Sequence, residues 1–165
     1  MNSKFSFLIF LFCAAFSQAQ EKKIWADSFL GKQAPTIEIE QWLSDEPNTE
    51  GKFILVDVWA TWCGPCKRAI PKLNKFQKEF KDDLVIIGIT YENERKVKKM
   101  TGPKMKYYNE IDTQKRMRRT LNVQGIPHCI LIDPNGVVVW EGFPELNGHE
   151  LTAEVIKDLI ESYKS

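Results

Sequence analysis

Five residues between a predicted strand and a predicted helix decide the fold: Trp62-Cys63-Gly64-Pro65-Cys66. The eight residues before them, 53–60, are rich in β-branched and aromatic side chains, which predicts a buried parallel strand. The residues after them carry apolar side chains at helical spacing, which predicts a helix from Gly64 to about Phe80. Two cysteines therefore lie where a strand is followed by the N-terminus of a helix.

This position predicts a reactive thiol. The unpaired backbone N–H groups and the dipole at a helix N-terminus favour an anion, and so favour the thiolate form of Cys63. A two-residue gap within the first turn lets the two sulfurs alternate between dithiol and disulfide. Pro65 suits the first turn because its missing N–H would be unpaired there anyway. We predict a redox-active pair in preference to a static structural disulfide.

The N-terminus has the layout of a secretory signal peptide. Lys4 precedes an apolar stretch from Phe5 to Phe16, and small residues follow at positions 17 and 19. The predicted organisation is a signal peptide at residues 1–20 and a single domain at 21–165. An uncleaved anchor, or lipid attachment at Cys13, is the alternative interpretation.

Composition limits the possible partners. The chain has 165 residues, of which 43% are hydrophobic, and this suits one globular domain with a core. Lys4 is the only charged residue among the first 20, so without them the 23 basic and 22 acidic residues become equal in number. A nearly neutral chain does not favour nucleic acid as a partner.

The remaining elements follow from periodicity and turn residues. We predict weak helical spacing at 21–32, a half-exposed strand at 36–40, a buried strand at 84–89 and a helix at 92–100. A short edge strand at 106–108 and a helix capped by Asp112 and running to about residue 121 come next. A strand at 128–132, a turn at 133–136, a returning strand at 137–141 and a helix at 150–163 complete an α/β chain. The early strands are predicted to be parallel and the late hairpin antiparallel.

The sequence around the cysteines resembles the thioredoxin family, because residues 56–67 (VDVWATWCGPCK), Pro71 and Gly125-Ile126-Pro127 match its pattern. It is more narrowly similar to the exported TlpA/ResA-like branch of thiol-disulfide oxidoreductases. That similarity rests on the signal peptide and on residues 31–35, 86–90, 92–111 and 133–136. The resemblance implies a thioredoxin fold, with a central mixed β-sheet flanked by helices and an inserted helix and edge strand.

The resemblance also implies roles for individual residues. Cys63 would attack a substrate disulfide, and Cys66 would resolve the mixed disulfide that forms. Asp57 would handle the proton of Cys66, or alternatively be a purely structural carboxylate. Pro127 would follow a cis peptide bond. Five residues would form the substrate site: Trp62, Gly64, Pro65, Ile126 and Pro127.

Two departures from the family pattern concern the proton. The lysine that thioredoxin places near the buried carboxylate has no counterpart in residues 84–90. The glutamate that ResA-type proteins carry after the second cysteine aligns with Ala69. Proton handling is therefore predicted to fall to Asp57 alone.

A metal site would need His128 or Cys129 to join the cysteine pair. Neighbouring residues on a strand point to opposite faces, so at most one of them could face inward. We interpret Cys129 as a small core residue and His128 as an exposed or hydrogen-bonded histidine, and His149 as exposed. No metal and no cofactor is predicted. The basic groups at 95–106 and 115–119 are interpreted as solvated helix faces, with a docking surface for an acidic partner as the alternative.

The sequence thus predicts an exported enzyme that reduces protein disulfides in the cell envelope. Its partners would be disulfide- or thiol-containing envelope proteins and a membrane-side electron donor, not nucleic acid, and a monomer is expected. A disulfide oxidase or isomerase is the main alternative. A copper-handling metallochaperone is a second alternative, from another functional class.

Overall fold

The computed structural model describes residues 24–165, and the predicted signal peptide and Cys13 lie outside them. Within this part of the chain, no helix combines the length and the apolar character that crossing a bilayer requires.

A six-stranded mixed sheet forms the centre of the domain, with the strand order β1-β4-β3-β2-β5-β6. Strand β3 is parallel to both β2 and β4, whereas β1, β5 and β6 each pair antiparallel with a neighbour. The strands are β1 (Gln41–Trp42), β2 (Phe53–Val58), β3 (Leu84–Thr90), β4 (Tyr108–Ile111), β5 (His128–Ile132) and β6 (Val138–Gly142). The most buried strands, β2, β3 and β5, lie together in the middle because their side chains are apolar on both faces.

Helices cover the two faces of the sheet unequally. The helices are α1 (Gly64–Glu79), α2 (Glu94–Lys98), α3 (Arg116–Thr120) and α4 (Ala153–Lys164). On one face α1 and α4 pack over a core that includes Leu55 and Leu131. On the other face α3 and the segment before β1 pack over Val56, Ile87 and Ile130. Alternation along β2 therefore sends Asp57 to the α1/α4 face.

The predicted fold class is confirmed, and so are the predicted bounds of most central elements. The strand at 84–89, the helix from Gly64 and the strand at 128–132 each end within one residue of the prediction. The inserted helix is shorter than predicted, since α2 covers five residues. Asp112 is not the N-cap of α3, but its side chain binds a backbone N–H in the first turn of that helix. Its Oδ2 accepts a hydrogen bond from the Met117 backbone N–H at 3.0 Å.

Two predictions for the N-terminal part are wrong, and the edge strand is misplaced. Residues 24–32 form no helix, and residues 36–40 form no strand. This segment is instead fixed by single contacts, such as the Gln33 bridge to Val137 and the Phe29 N–H bond to Glu141. The predicted strand at 106–108 lies at Tyr108–Ile111, and the two-residue β1 covers it, so β4 is not an edge.

Candidate active site

The cysteine pair lies at the junction of β2 and α1, as the sequence predicts. Cys63 and Cys66 form a disulfide with their Cα atoms 5.3 Å apart. Cys63 is the N-cap of α1, and its sulfur accepts a hydrogen bond from the Cys66 backbone N–H at 3.1 Å. The same N–H would stabilise a thiolate after reduction, because an orphan donor at a helix N-terminus binds an anion well. Both cysteines are almost fully buried.

Exposed groups surround the buried sulfurs. Trp62 is 63% exposed, and Gly64 and Pro65 are exposed beside it. Across the site the Ile126–Pro127 peptide bond is cis, and the Ile126 carbonyl oxygen lies 3.6 Å from Cys63 Sγ. Ile126 is half-buried, whereas Pro127 is buried. The structure thus brings the loop before β5 next to Cys63, with exposed surface on either side of the disulfide.

Asp57 is buried and bonded to two other side chains. The Tyr107 hydroxyl donates a hydrogen bond to Asp57 Oδ2 at 3.1 Å, and the Cys129 thiol donates one to Oδ1 at 3.5 Å. Burial raises the pKa of Asp57 from 3.8 to about 6, although both hydrogen bonds oppose that rise. A carboxyl with a pKa near neutrality can take up or release a proton under ordinary conditions.

Asp57 has two side-chain partners that the sequence analysis did not name, because Tyr107 and Cys129 both contact its carboxylate. Asp57 and Cys129 are register partners on β2 and β5, so a correct strand pairing would have placed them together. No spacing in the sequence pointed to Tyr107, which reaches the carboxylate from the loop before β4. Cys129 is a buried core residue, as predicted, and burial raises the pKa of its thiol well above the usual value, so it stays protonated.

Sequence reasoning also missed the two residues that follow β3. The Glu92 carboxylate, itself buried, accepts hydrogen bonds from the Thr61 backbone N–H at 2.5 Å and from Thr61 Oγ1 at 3.0 Å. The Tyr91 hydroxyl accepts a hydrogen bond from Trp62 Nε1 at 3.0 Å. The turn that carries the cysteines is therefore fastened to the C-terminal end of β3.

Both histidine interpretations are wrong. His128 is fully buried, and within residues 24–165 neither of its ring nitrogens has a hydrogen-bond partner. Burial lowers its pKa to about 4, so the ring is neutral at pH 7. His149 is only partly exposed: its ring stacks on Trp140 at 4.9 Å, and its Nε2 lies 2.8 Å from the Glu141 carbonyl oxygen.

The residues considered for a metal site do not converge. Cys129 packs in the core on the α1/α4 face, whereas strand alternation turns His128 towards the opposite face. No group of three or more histidine, cysteine or acidic side chains in residues 24–165 is placed to hold a metal ion.

The known proteins that this chain resembles agree with one another in fold and in type of activity. Residues 51–138 match the model of a thioredoxin-like family. The thiol:disulfide interchange protein DsbE of Escherichia coli K12 is 28% identical over 147 residues, covering 82% of this chain and 76% of that protein. The thiol-disulfide oxidoreductase ResA of Bacillus cereus is 24% identical over 165 residues, covering 94% and 90%.

A solved structure agrees with these relatives. The thioredoxin domain of a thiol-disulfide oxidoreductase from Bacteroides vulgatus superposes with a TM-score of 0.65 at 25% identity. The match covers 84% of this chain and 100% of that one. Fold, cysteine pair and relatives all indicate an enzyme that exchanges thiols and disulfides.

The buried Asp57 predicts a specific pH dependence of stability. Folding raises its pKa from 3.8 to about 6, so the folded protein binds this proton more tightly than the unfolded chain does. Its contribution to stability therefore falls as the pH rises from about 4 to about 6, and remains unfavourable above that range. The free energy of unfolding of the Asp57→Asn variant should exceed that of the wild type by up to about 3 kcal/mol at pH 7.5 and should equal it at pH 3.5.

Urea unfolding of the oxidised protein between pH 3.5 and 7.5 measures this difference. The exposed Asp45 supplies the control, since Asp45→Asn makes the same substitution at the surface and leaves the core unchanged. A gain for Asp57→Asn that did not depend on pH would contradict the assigned pKa.

Proposed function

The chain belongs to the thioredoxin-like family, and we propose that within it the protein is an exported reductase of protein disulfides. It is a thiol-disulfide oxidoreductase with a Cys63–Cys66 redox pair. The observation that supports the proposed chemistry is the hydrogen bond from the Cys66 N–H to the Cys63 sulfur, because a donor at that place would stabilise a thiolate on Cys63.

In the proposed cycle the Cys63 thiolate attacks one sulfur of a substrate disulfide. The substrate S–S bond breaks, a Cys63–substrate disulfide forms, and one substrate thiolate leaves and takes up a proton. The Cys66 thiolate then attacks Cys63 Sγ, the Cys63–substrate bond breaks, and the second substrate sulfur leaves as a thiolate and takes up a proton. Two electrons pass from the dithiol to the substrate, and the Cys63–Cys66 disulfide remains.

Asp57 is proposed to accept the proton that Cys66 loses in the second step. Its burial on the sheet face covered by α1 and its pKa of about 6 support that role. Tyr107 and Cys129 keep the carboxylate in place and limit how far burial raises its pKa.

The substrate is proposed to bind across the exposed rim of the pair. Trp62, Gly64 and Pro65 offer surface on one side, and the half-buried Ile126 offers backbone on the other. Pro127 is buried, so it would act by shaping the loop that presents Ile126. Such a surface contacts an extended substrate mostly through its backbone, which suits more than one protein disulfide.

The two cysteines should differ in which intermediate they allow. Cys66→Ser retains the attacking thiolate but lacks the resolving thiol, so we expect it to accumulate a disulfide-linked complex with an oxidised substrate protein. Cys63→Ser lacks the attacking thiolate and should form no such complex. Non-reducing gel electrophoresis and mass spectrometry distinguish the two variants. A complex formed equally by both, or through the buried Cys129, would contradict the assignment.

The reductive direction is supported by the Gly64-Pro65 dipeptide and by Ile126 before Pro127, which resemble the reducing members of the family. Equilibration of the purified protein in dithiothreitol or glutathione buffers measures its reduction potential. Reductases and oxidases of this fold lie near −270 and −120 mV, a gap of about 7 kcal/mol. We expect a value at or below about −230 mV. A value near −120 mV would identify an oxidase and reverse the proposed direction.

Export is supported by the basic, apolar and small-residue layout of residues 1–20. The proposed mature domain is 21–165. Its partners would be envelope proteins with disulfides or thiols, and a membrane-side donor would re-reduce the pair. We expect protein recovered from the envelope fraction to lack residues 1–20 by intact mass. The full-length mass there would indicate a retained anchor, and recovery only from the cytoplasm would contradict export.

A further inference from the structure

A group of cations beside the redox pair has no acidic partner in the part of the chain that the structure describes. Tyr91 packs against the buried cluster that contains Cys63 and Cys66, and its hydroxyl binds Trp62. The Lys115 ammonium lies 4.9 Å from the centre of the Tyr91 ring, and the Arg118 guanidinium carbon lies 5.4 Å from it. Two positive charges are thus separated from the cysteine cluster by a single aromatic side chain.

A surface pocket of about 360 Å³ continues from these cations. It is lined by six residues: Lys115, Arg118, Arg119, Asn122, Val123 and Gln124. The pocket lies between α3 and the loop that leads to the cis Ile126–Pro127 bond, so one of its walls belongs to the predicted substrate loop. Among residues 24–165, no carboxylate lines it. The Asp27 carboxylate near its edge is bonded to the Asn122 amide at 3.1 Å.

The neighbouring Arg116 differs from these three cations because acidic side chains pair with it. Arg116 forms ion pairs with Asp112 at 3.0 Å, Glu38 at 3.2 Å and Glu40 at 3.5 Å. On α2, Lys96 and Lys98 pair with Glu92 and Glu94. Within residues 24–165, Lys115, Arg118 and Arg119 form no ion pair. Arg118 and Arg119 donate only to backbone carbonyl oxygens, those of Val123 and Gln114, so no acidic side chain in the described residues offsets the charge of these three cations beside Tyr91.

We propose that Lys115, Arg118 and Arg119 form a docking surface for an acidic polypeptide segment next to the disulfide or thiol of the partner protein. This proposal deepens the proposed function and rests on it. Charge complementarity selects the occupant, because a segment rich in aspartate and glutamate would meet three cations that form no ion pair within residues 24–165, and no carboxylate from those residues lines the pocket to repel it. The surface would bring such a partner to Cys63 faster and would not change the chemistry of the sulfurs.

Lys115 and Arg119 are the residues to change. Both are exposed, whereas Arg118 is half-buried and its Nε donates a hydrogen bond to the Val123 carbonyl oxygen, so replacing it would loosen the loop. Residue 115 has a φ of 57°, a strain that any non-glycine residue shares, so Lys115→Glu adds none. The double variant Lys115→Glu/Arg119→Glu reverses two charges beside the pocket. Lys78→Glu/Lys81→Glu, at and just beyond the far end of α1, changes the net charge equally and is the matched control.

The probes are three short peptides closed by one disulfide, with flanks rich in aspartate, in serine or in lysine, together with uncharged hydroxyethyl disulfide. Second-order rate constants are measured for the reduced protein with each disulfide, and for the oxidised protein with each reduced peptide. At about 10 mM salt, where the Debye length is about 30 Å, we expect the acidic peptide to react at least about tenfold faster than the lysine peptide. At about 1 M salt the preference should disappear.

The variants separate docking from chemistry. Lys115→Glu/Arg119→Glu should lose or invert the preference while reacting with hydroxyethyl disulfide at the wild-type rate, and Lys78→Glu/Lys81→Glu should keep the preference. Equal wild-type rates for acidic and basic peptides, or a preference that survives in the first variant, would overturn the proposal. Loss of the hydroxyethyl disulfide reaction in the first variant would also overturn it, since the cations would then act on the thiolate. If the wild-type protein reacts only when oxidised, with the reduced peptides, the proposed reductase function would be refuted. The preference for the acidic peptide would still be measured in that direction.

Discussion

The hydrogen bond between the Cys66 N–H and the Cys63 sulfur is the contact on which the active site depends. It exists only because β2 ends at Val58 and α1 begins at Gly64, which leaves Cys63 as the N-cap. A sulfur in that position replaces the usual oxygen of a capping side chain and satisfies one of the orphan donors of the first turn. The same bond starts the helix and favours the thiolate, so folding and reactivity share one interaction.

The carboxylate of Asp57 is the second constraint, because it places a titratable group inside the core. Space for its surroundings comes from Gly88, its register partner on β3. A Cβ at Gly88 would lie 2.7 Å from Asn109 Oδ1 and 3.0 Å from Trp59 Nε1, so any side chain there would push into the layer around Asp57. A pKa of about 6 is the balance between burial, which raises it, and the Tyr107 and Cys129 hydrogen bonds, which lower it.

The sequence predicted those parts of the fold and of the candidate site that depend on local periodicity and on the cysteine motif. The strand, turn and helix around Cys63 and the order of the central elements follow from periodicity, because those segments are apolar enough to be buried in only one way. Long-range contacts were not predictable in the same way. Tyr107 reaches Asp57 over a sequence separation of 50 residues. The segment at 24–40 is held by single contacts to distant residues, such as the Phe29 N–H bond to Glu141, and its own periodicity does not determine its structure. His128 was misjudged because a histidine usually finds a partner, whereas here a buried strand position holds it neutral.

The end of β3 connects reactivity to recognition. Glu92 fixes the backbone of Thr61, two residues before Cys63, and Tyr91 fixes the exposed ring of Trp62. Because Lys115 and Arg118 lie over that same Tyr91 ring, Tyr91 fixes the position of these cations relative to the cysteine turn. A partner that bound the cations would therefore meet Cys63 at a defined distance. The position of this surface follows from the packing of Tyr91 and not from the length of any flexible loop.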